Sequence, residues 1–204
     1  MMSAHRSVPR RRLSAVAASL TLAAVLTACG GGDESAGGHE QGKKAEASAA
    51  KKSHNAQDVA FAQGMIPHHR QAVRMAGLAA TRAASPEVKA LAQEIEKAQG
   101  PEVETMSGWL ESWGEDAPRQ GMSHAGHGMP GMMPPEDMDK LKKASGEAFD
   151  AAFLKMMIEH HEGAVSMAGT EKSGGSYRPA KDLAGEIVRA QNAEIKQMNK
   201  LLDK

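Results

Sequence analysis

The residues best equipped for chemistry are two adjacent histidine pairs, His68-His69 and His160-His161. Each pair has a methionine three residues before it, Met65 and Met157, and another seven residues after its first histidine, Met75 and Met167. Thioether sulfur selects Cu(I), while imidazole accepts copper and zinc. Di-iron carboxylate bundles place Glu-x-x-His on two helices. Here the spacing is Met-x-x-His, a soft group where iron would have a hard one. That weighs against a ferroxidase, although Asp58, Glu102, Asp150 and Glu194 remain as oxygen ligands or as outer partners of the histidines.

A third group lies between the pairs, from Met122 to Met133. It contains Met122, His124, His127, Met129, Met132 and Met133 among closely spaced Gly and Pro. Gly and Pro are too frequent there for a packed helix, so core packing explains its methionines poorly. It reads as a flexible metal-capturing segment, with a Met-rich low-complexity linker as the plain alternative.

The elements that must position these groups follow from an internal repeat. Residues 58–77 align with 150–169 at an offset of 92, with 12 of 20 positions identical. At the same offset, residues 89–110 and 181–202 share 10 of 22, including Gln99/Gln191, Glu102/Glu194 and Met106/Met198. Each copy predicts two helices, joined through Ser85-Pro86 in the first and through Gly174-Gly175 to Pro179 in the second. One hairpin cannot bury its own apolar stripe. Two predict an all-α fold, an antiparallel four-helix bundle with a pseudo-two-fold axis, over residues 54–204 with a connection at 114–135.

At 100° per residue, Phe61, Met65, His68, His69, Ala72 and Met75 fall on one arc of the first helix, and Gln63, Arg70 and Arg74 on the other side. Glu102 and Glu194 fall within the apolar stripe of the second helix of each hairpin. A carboxylate there needs a partner, and the facing histidine is the candidate. A buried His–Glu network without metal is therefore the structural alternative for the pairs, and core filling is the alternative for the methionines. Met106, Met198, Trp109 and Trp113 are assigned to packing. Pro67 predicts either a kink just before His68 or a helix that starts there.

The N-terminus has Arg6, Arg10, Arg11 and Arg12, then an apolar run from Leu13 to Leu26 too short to span a membrane, then Leu26-Thr27-Ala28-Cys29. This predicts an export leader over 1–28, and the last four residues resemble the lipobox of bacterial lipoproteins, with Cys29 acylated. Cys29 is the only cysteine of the 204 residues, so no intramolecular disulfide forms. Residues 29–53 read as a tether rich in Gly, Ala, Lys, Glu and Ser. Without the four leader arginines the chain has 21 basic and 25 acidic residues, which argues against nucleic acid as a partner. Aromatics are only 3%, so Ala, Leu, Ile, Val and Met must build the core.

Met65-Ile66-Pro67-His68-His69, with Asp58 and Phe61 before and Ala72, Met75 and Ala76 after, resembles the signature of the bacterial "domain of unknown function three hundred and five" family. The resemblance spans roughly residues 54–202. It implies a ferritin-like four-helix fold, and some members are exported proteins that bind copper or silver and are linked to copper resistance. Carried over by position, it implies metal ligands at Met65, His68, His69, Met75, Met157, His160, His161 and Met167. The second copy has Glu159 in place of Pro67, so the halves need not be equivalent.

Three classes of function compete. The first is an exported lipoprotein, anchored to the outer face of the cell membrane, that binds Cu(I) or Ag(I) for sequestration, resistance or transfer. The second is a ferritin-like metal-dependent oxidase, and the third a metal-free bundle that serves structure or a protein partner. No hydrolytic triad, phosphate loop or cysteine nucleophile is recognisable, and no residue is assigned as catalytic.

Overall fold

The computed structural model describes residues 53–119 and 128–203. Residues 1–52, where the sequence predicts a leader, the acylated Cys29 and a tether, lie outside the described residues, as do Met122, His124 and His127. Five helices are present: α1 (Ala56–Arg82), α2 (Pro86–Trp113), α3 (Pro135–Lys143), α4 (Gly146–Gly174) and α5 (Arg178–Leu202). The long helices form two hairpins, α1–α2 and α4–α5, which meet mainly along α1 and α4. This is the four-helix bundle expected from the repeat. The short α3 is an addition that the repeat does not contain; it buries Met138 and Leu141, with acidic residues in its first turn and lysines in its last.

Local signals set the helix ends. Asn55 caps α1 in a reciprocal box with Asp58. Ser85 caps α2 with Pro86 in the first turn, where the missing N–H costs nothing. Gly114, at φ 76°, ends α2 in the left-handed conformation. Pro67 lies inside α1, so a helix start at that residue does not occur. The helix continues through it without the hydrogen bond that would reach Gln63.

The two hairpins staple each other through a duplicated aspartate. Asp58, on the first turn of α1, accepts from the Ser176 and Tyr177 N–H groups in the turn of the second hairpin. Asp150, its repeat partner on α4, accepts from Ala84 and Ser85 N–H in the turn of the first. The start of each helix is thus pinned to the end of the other, which makes α1 and α4 antiparallel.

The core has two apolar clusters. One joins Phe61, Met65, Ile66, Met106, Leu110, Ala164, Ala168 and Ile187. The other joins Ala72, Met75, Leu91, Ile95, Phe149, Phe153, Met157 and Met198. Met106 and Met198 are core residues, as assigned. Trp109, Trp113 and Tyr177 pack at one bundle end, where the His54 ring stacks on Trp113 at 4.4 Å. No histidine belongs to either cluster. The four paired histidines form a polar layer between them, at the middle of α1 and α4.

Candidate metal centre

The antiparallel crossing brings the two His-His motifs face to face. The His68 and His160 rings meet at a centroid distance of 3.8 Å, and His160 lies 6.4 Å from His161. All four histidines are buried, none exposing more than 1% of its surface. A groove of about 1630 Å³ lined by Arg70, Arg74, Glu104 and Met132 runs along α1 and α2, but none of the four histidines lines it.

Three of the rings are tied at Nε2 to groups that only accept. His69 Nε2 donates to Glu102 at 2.6 Å, and His161 Nε2 donates to Glu194 at 2.6 Å. His68 Nε2 donates to the Pro130 carbonyl at 3.1 Å. A neutral ring that donates through Nε2 carries its lone pair on Nδ1. The Nδ1 atoms of His68, His69 and His161 are all buried without a hydrogen-bond partner, and so are both ring nitrogens of His160. Gln99 and Gln191, matched by the repeat one turn before Glu102 and Glu194, are also buried, at 3% exposure each. Both Gln99 amide atoms and the Gln191 oxygen lack partners.

Burial disfavours a charge in this layer. It holds His68 well below the usual imidazole range, at about 3, with the neighbouring His69 adding to the effect. Burial lowers His160 in the same way, reinforced by His68, His161 and His69. Both rings are therefore neutral near pH 7, the form in which imidazole ligates metal.

Orphaned imidazole lone pairs in a buried polar layer suit a metal such as copper or zinc, and carboxylate–histidine pairs are the outer contacts that orient a ligating ring. The methionines are placed unequally. Met65 and Met157 are one helical turn from His68 and His160, about 4.5 Å along the axis, and flank the layer from opposite clusters. Met75 and Met167 are two turns away, about 10 Å. Met75 is buried in the α1 C-terminal cluster. Met167 lies near Met129, both facing Gly64. Met133 is buried in the core and Met132 is partly exposed. The four acidic candidates split. Glu102 and Glu194 reach the histidines, whereas Asp58 and Asp150 bind turn amides at the bundle ends. Among the described residues, no three or more His, Cys, Asp or Glu side chains are grouped to hold a metal.

Sequence reasoning missed the strap that closes the layer. Residues 129–133 cross the α1–α4 seam, held by Gln71, whose side chain donates to the Met133 carbonyl and accepts from its N–H at 2.9 and 2.8 Å. Its other hold is Gly163, the repeat counterpart of Gln71. A Cβ there would collide with the Pro130 carbonyl and stand 2.7 Å from the Gly131 Cα. A glycine in mid-helix, opposite a glutamine in the other copy, was the available signal.

The family model described as "Domain of unknown function (DUF305)" matches residues 58–202. The chain is similar to the solved DUF305 protein of Streptomyces coelicolor, at 35% identity and a TM-score of 0.66, over 72% of this chain and 92% of that one. A DUF305 fragment from Deinococcus radiodurans is 31% identical with a TM-score of 0.65, over 73% and 97%. CopM in its Cu(I)-bound form is 34% identical with a TM-score of 0.60, over 72% and 95%, and CopM has also been solved in Cu(II)-bound and Ag-bound forms. No curated protein matches the chain.

Proposed function

The chain belongs to the DUF305 family, and on that premise we propose that it is an exported lipoprotein that binds copper, as Cu(I), or silver, for sequestration, resistance or transfer. The observation that carries the reading is the mid-bundle layer of four buried histidines, three of them tied through Nε2 with Nδ1 unpartnered. His68, His69, His160 and His161 would hold the ion, with Met65 and Met157 the nearest sulfurs. Met75, Met167 and the connecting-segment residues Met122, His124, His127, Met129, Met132 and Met133 would serve capture or secondary binding. The metal is the cargo of such a protein, and no turnover is required of it.

Binding of copper and silver by CopM supports the choice of a soft metal. The placement of Asp58 and Asp150 supports it too. Both are committed to backbone amides, which removes two of the oxygen ligands that an oxidase centre would draw on. Export and anchoring rest on the leader at 1–28 and on Cys29 as the lipidated residue.

The test is a Cu(I) titration against a competing chelator, with Fe(II) and Zn(II) as controls. Tight Cu(I) and weak Fe(II) binding, lost when His68, His69, His160 and His161 are all changed to Ala, is the expected result. Binding unchanged in that variant would reduce the histidines to a structural His–Glu layer and leave the connecting segment as the site. No competitive Cu(I) binding at all would sink the copper reading.

A further inference from the structure

The repeat makes the two halves equivalent in sequence pattern, yet only one of the central rings is held. His68 Nε2 donates to Pro130, whereas the His160 ring has only a weak interaction with the His68 backbone and no full hydrogen bond at either nitrogen. The difference comes from the strap, and the strap is held by two residues at the same repeat position. Gln71 on α1 grips the Met133 backbone from both sides. Gly163 on α4 lets the strap backbone approach so closely that no side chain fits between. Gly131, at φ 76°, completes the approach: a Cβ on it would stand 2.6 Å from the Glu159 carbonyl oxygen and 2.9 Å from that of His160.

We propose that Gln71 and Gly163 are positioning residues. They seat the Pro130 carbonyl on His68, fix that ring as its Nε2–H tautomer, and so make Nδ1 the nitrogen it presents to metal. The part about metal rests on the copper reading above, and the part about the tautomer does not. A backbone carbonyl can only accept, so while the strap is seated the ring proton is on Nε2. Metal-ligating histidines are oriented by such an outer contact at the other nitrogen, and loss of one weakens metal binding about 10- to 100-fold. Glu102 and Glu194 provide this contact to His69 and His161. The strap provides it to His68 alone, so the central pair consists of one locked ring and one that is not.

The experiment is nitrogen-15 NMR of the histidine rings in the full chain, first metal-free and then with Cu(I) added. The expected result is His68 as the pure Nε2–H tautomer, with the unprotonated Nδ1 signal shifting on Cu(I) addition. Gly163→Ala should displace the strap, since the contacts to be relieved are with backbone atoms. Ala is also the better helix former, so α4 itself is not put at risk. In that variant His68 should show tautomer averaging, and Cu(I) affinity should fall about tenfold. Gln71→Ala loosens the other end of the strap and should do the same, which covers the case of a Gly163→Ala chain that fails to fold. His68 found as Nδ1–H, or an unaltered His68 signature in both variants, overturns the proposal. A locked His68 whose Nδ1 ignores Cu(I) removes His68 from the copper site while the positioning stands.

Discussion

Glu171 should make this fold lose stability as the pH rises from 5 to 8, and Glu171→Gln should remove most of that loss. The side chain is fully buried on α4, four residues before the cap Gly175. Its carboxyl lies against that of Asp58, and both crowd the place a Cβ on Gly175 would take. Burial alone would raise Asp58, but the N–H groups of Asn55, Tyr177 and Ser176 outweigh it and hold Asp58 low and ionised. Glu171 has no such donors. Burial first, and then the Asp58 carboxylate, push it up from 4.5 to about 8, against weaker pulls from Gln57 and Lys181.

A raised folded-state value means that the native protein holds a proton the unfolded chain has released. The stabilisation is complete below pH 4.5 and fades as the pH climbs through 8. Between pH 5 and 8 the linkage amounts to a few kcal/mol. His68 works the other way, because its folded value is depressed: its contribution is present above pH 6.5 and is lost as the pH falls. The difference between wild type and Glu171→Gln isolates the glutamate. Denaturant unfolding at pH 5 and pH 8 should show the variant close to wild type at pH 5 and more stable than it at pH 8, by a few kcal/mol. Equal pH slopes for the two proteins would refute the argument that Glu171 is protonated in the native state.

Three further outcomes follow. Asp150→Ala strips the acceptor from the Ala84 and Ser85 amides and should destabilise the bundle by about 2–4 kcal/mol in denaturant unfolding. Met65→Leu and Met157→Leu should weaken Cu(I) binding in competition titrations, whereas Met75→Leu and Met167→Leu, two turns from the histidine layer, should change it less. Cys29→Ala should shift the chain from the membrane fraction to the soluble fraction in its host and abolish labelling by fatty acid, and retention in the membrane would count against lipidation at Cys29.

The bundle was legible because duplication writes the pattern twice. Any periodicity seen in residues 58–77 could be checked against 150–169, and Ser85-Pro86 and Gly174-Gly175 marked the turns. That Glu102 would meet a histidine of the facing helix followed from a carboxylate on an apolar stripe, since burial without a partner is too costly. Other features were hidden for physical reasons. Helix α3 is nine residues long, too short for its Met138 and Leu141 to establish a period. Asp58 and Asp150 read as oxygen ligands or outer partners of the histidines. Sequence gives the angle around a helix but not which neighbour's end it meets, and the antiparallel crossing carried both aspartates to the opposite hairpin's turn. Helical angle also made Met75 a neighbour of His68, although axial rise puts it two turns away.

The departures from the repeat at the strap follow from the strap itself. A pair of identical hairpins would set the histidines as two equivalent pairs about the pseudo-two-fold axis, His68 with His160 and His69 with His161. This chain differs between its halves at Pro67/Glu159, Gln71/Gly163 and Ala79/Glu171. Two of these pairs lie under or beside the strap, which has a single copy and can cross the seam on one side only. Gln71 supplies two hydrogen bonds to it, and Gly163 supplies the space. The third places a buried carboxyl at one end of the bundle, against Asp58, where the matched position in the first hairpin has only Ala79. The mid-helix glycine, which would be a defect in a symmetric bundle, is explained by the strap, an element that is present once; the buried acid has no such explanation in the structure. Exchanging Gln71 and Gly163 between the helices should therefore not restore the strap, because the glycine would then lie on α1, away from the Pro130–Gly131 approach, and the glutamine would fill the space the strap backbone occupies on α4. A doubly exchanged variant with an unchanged His68 ring signature would show that the strap is held by something other than these two residues.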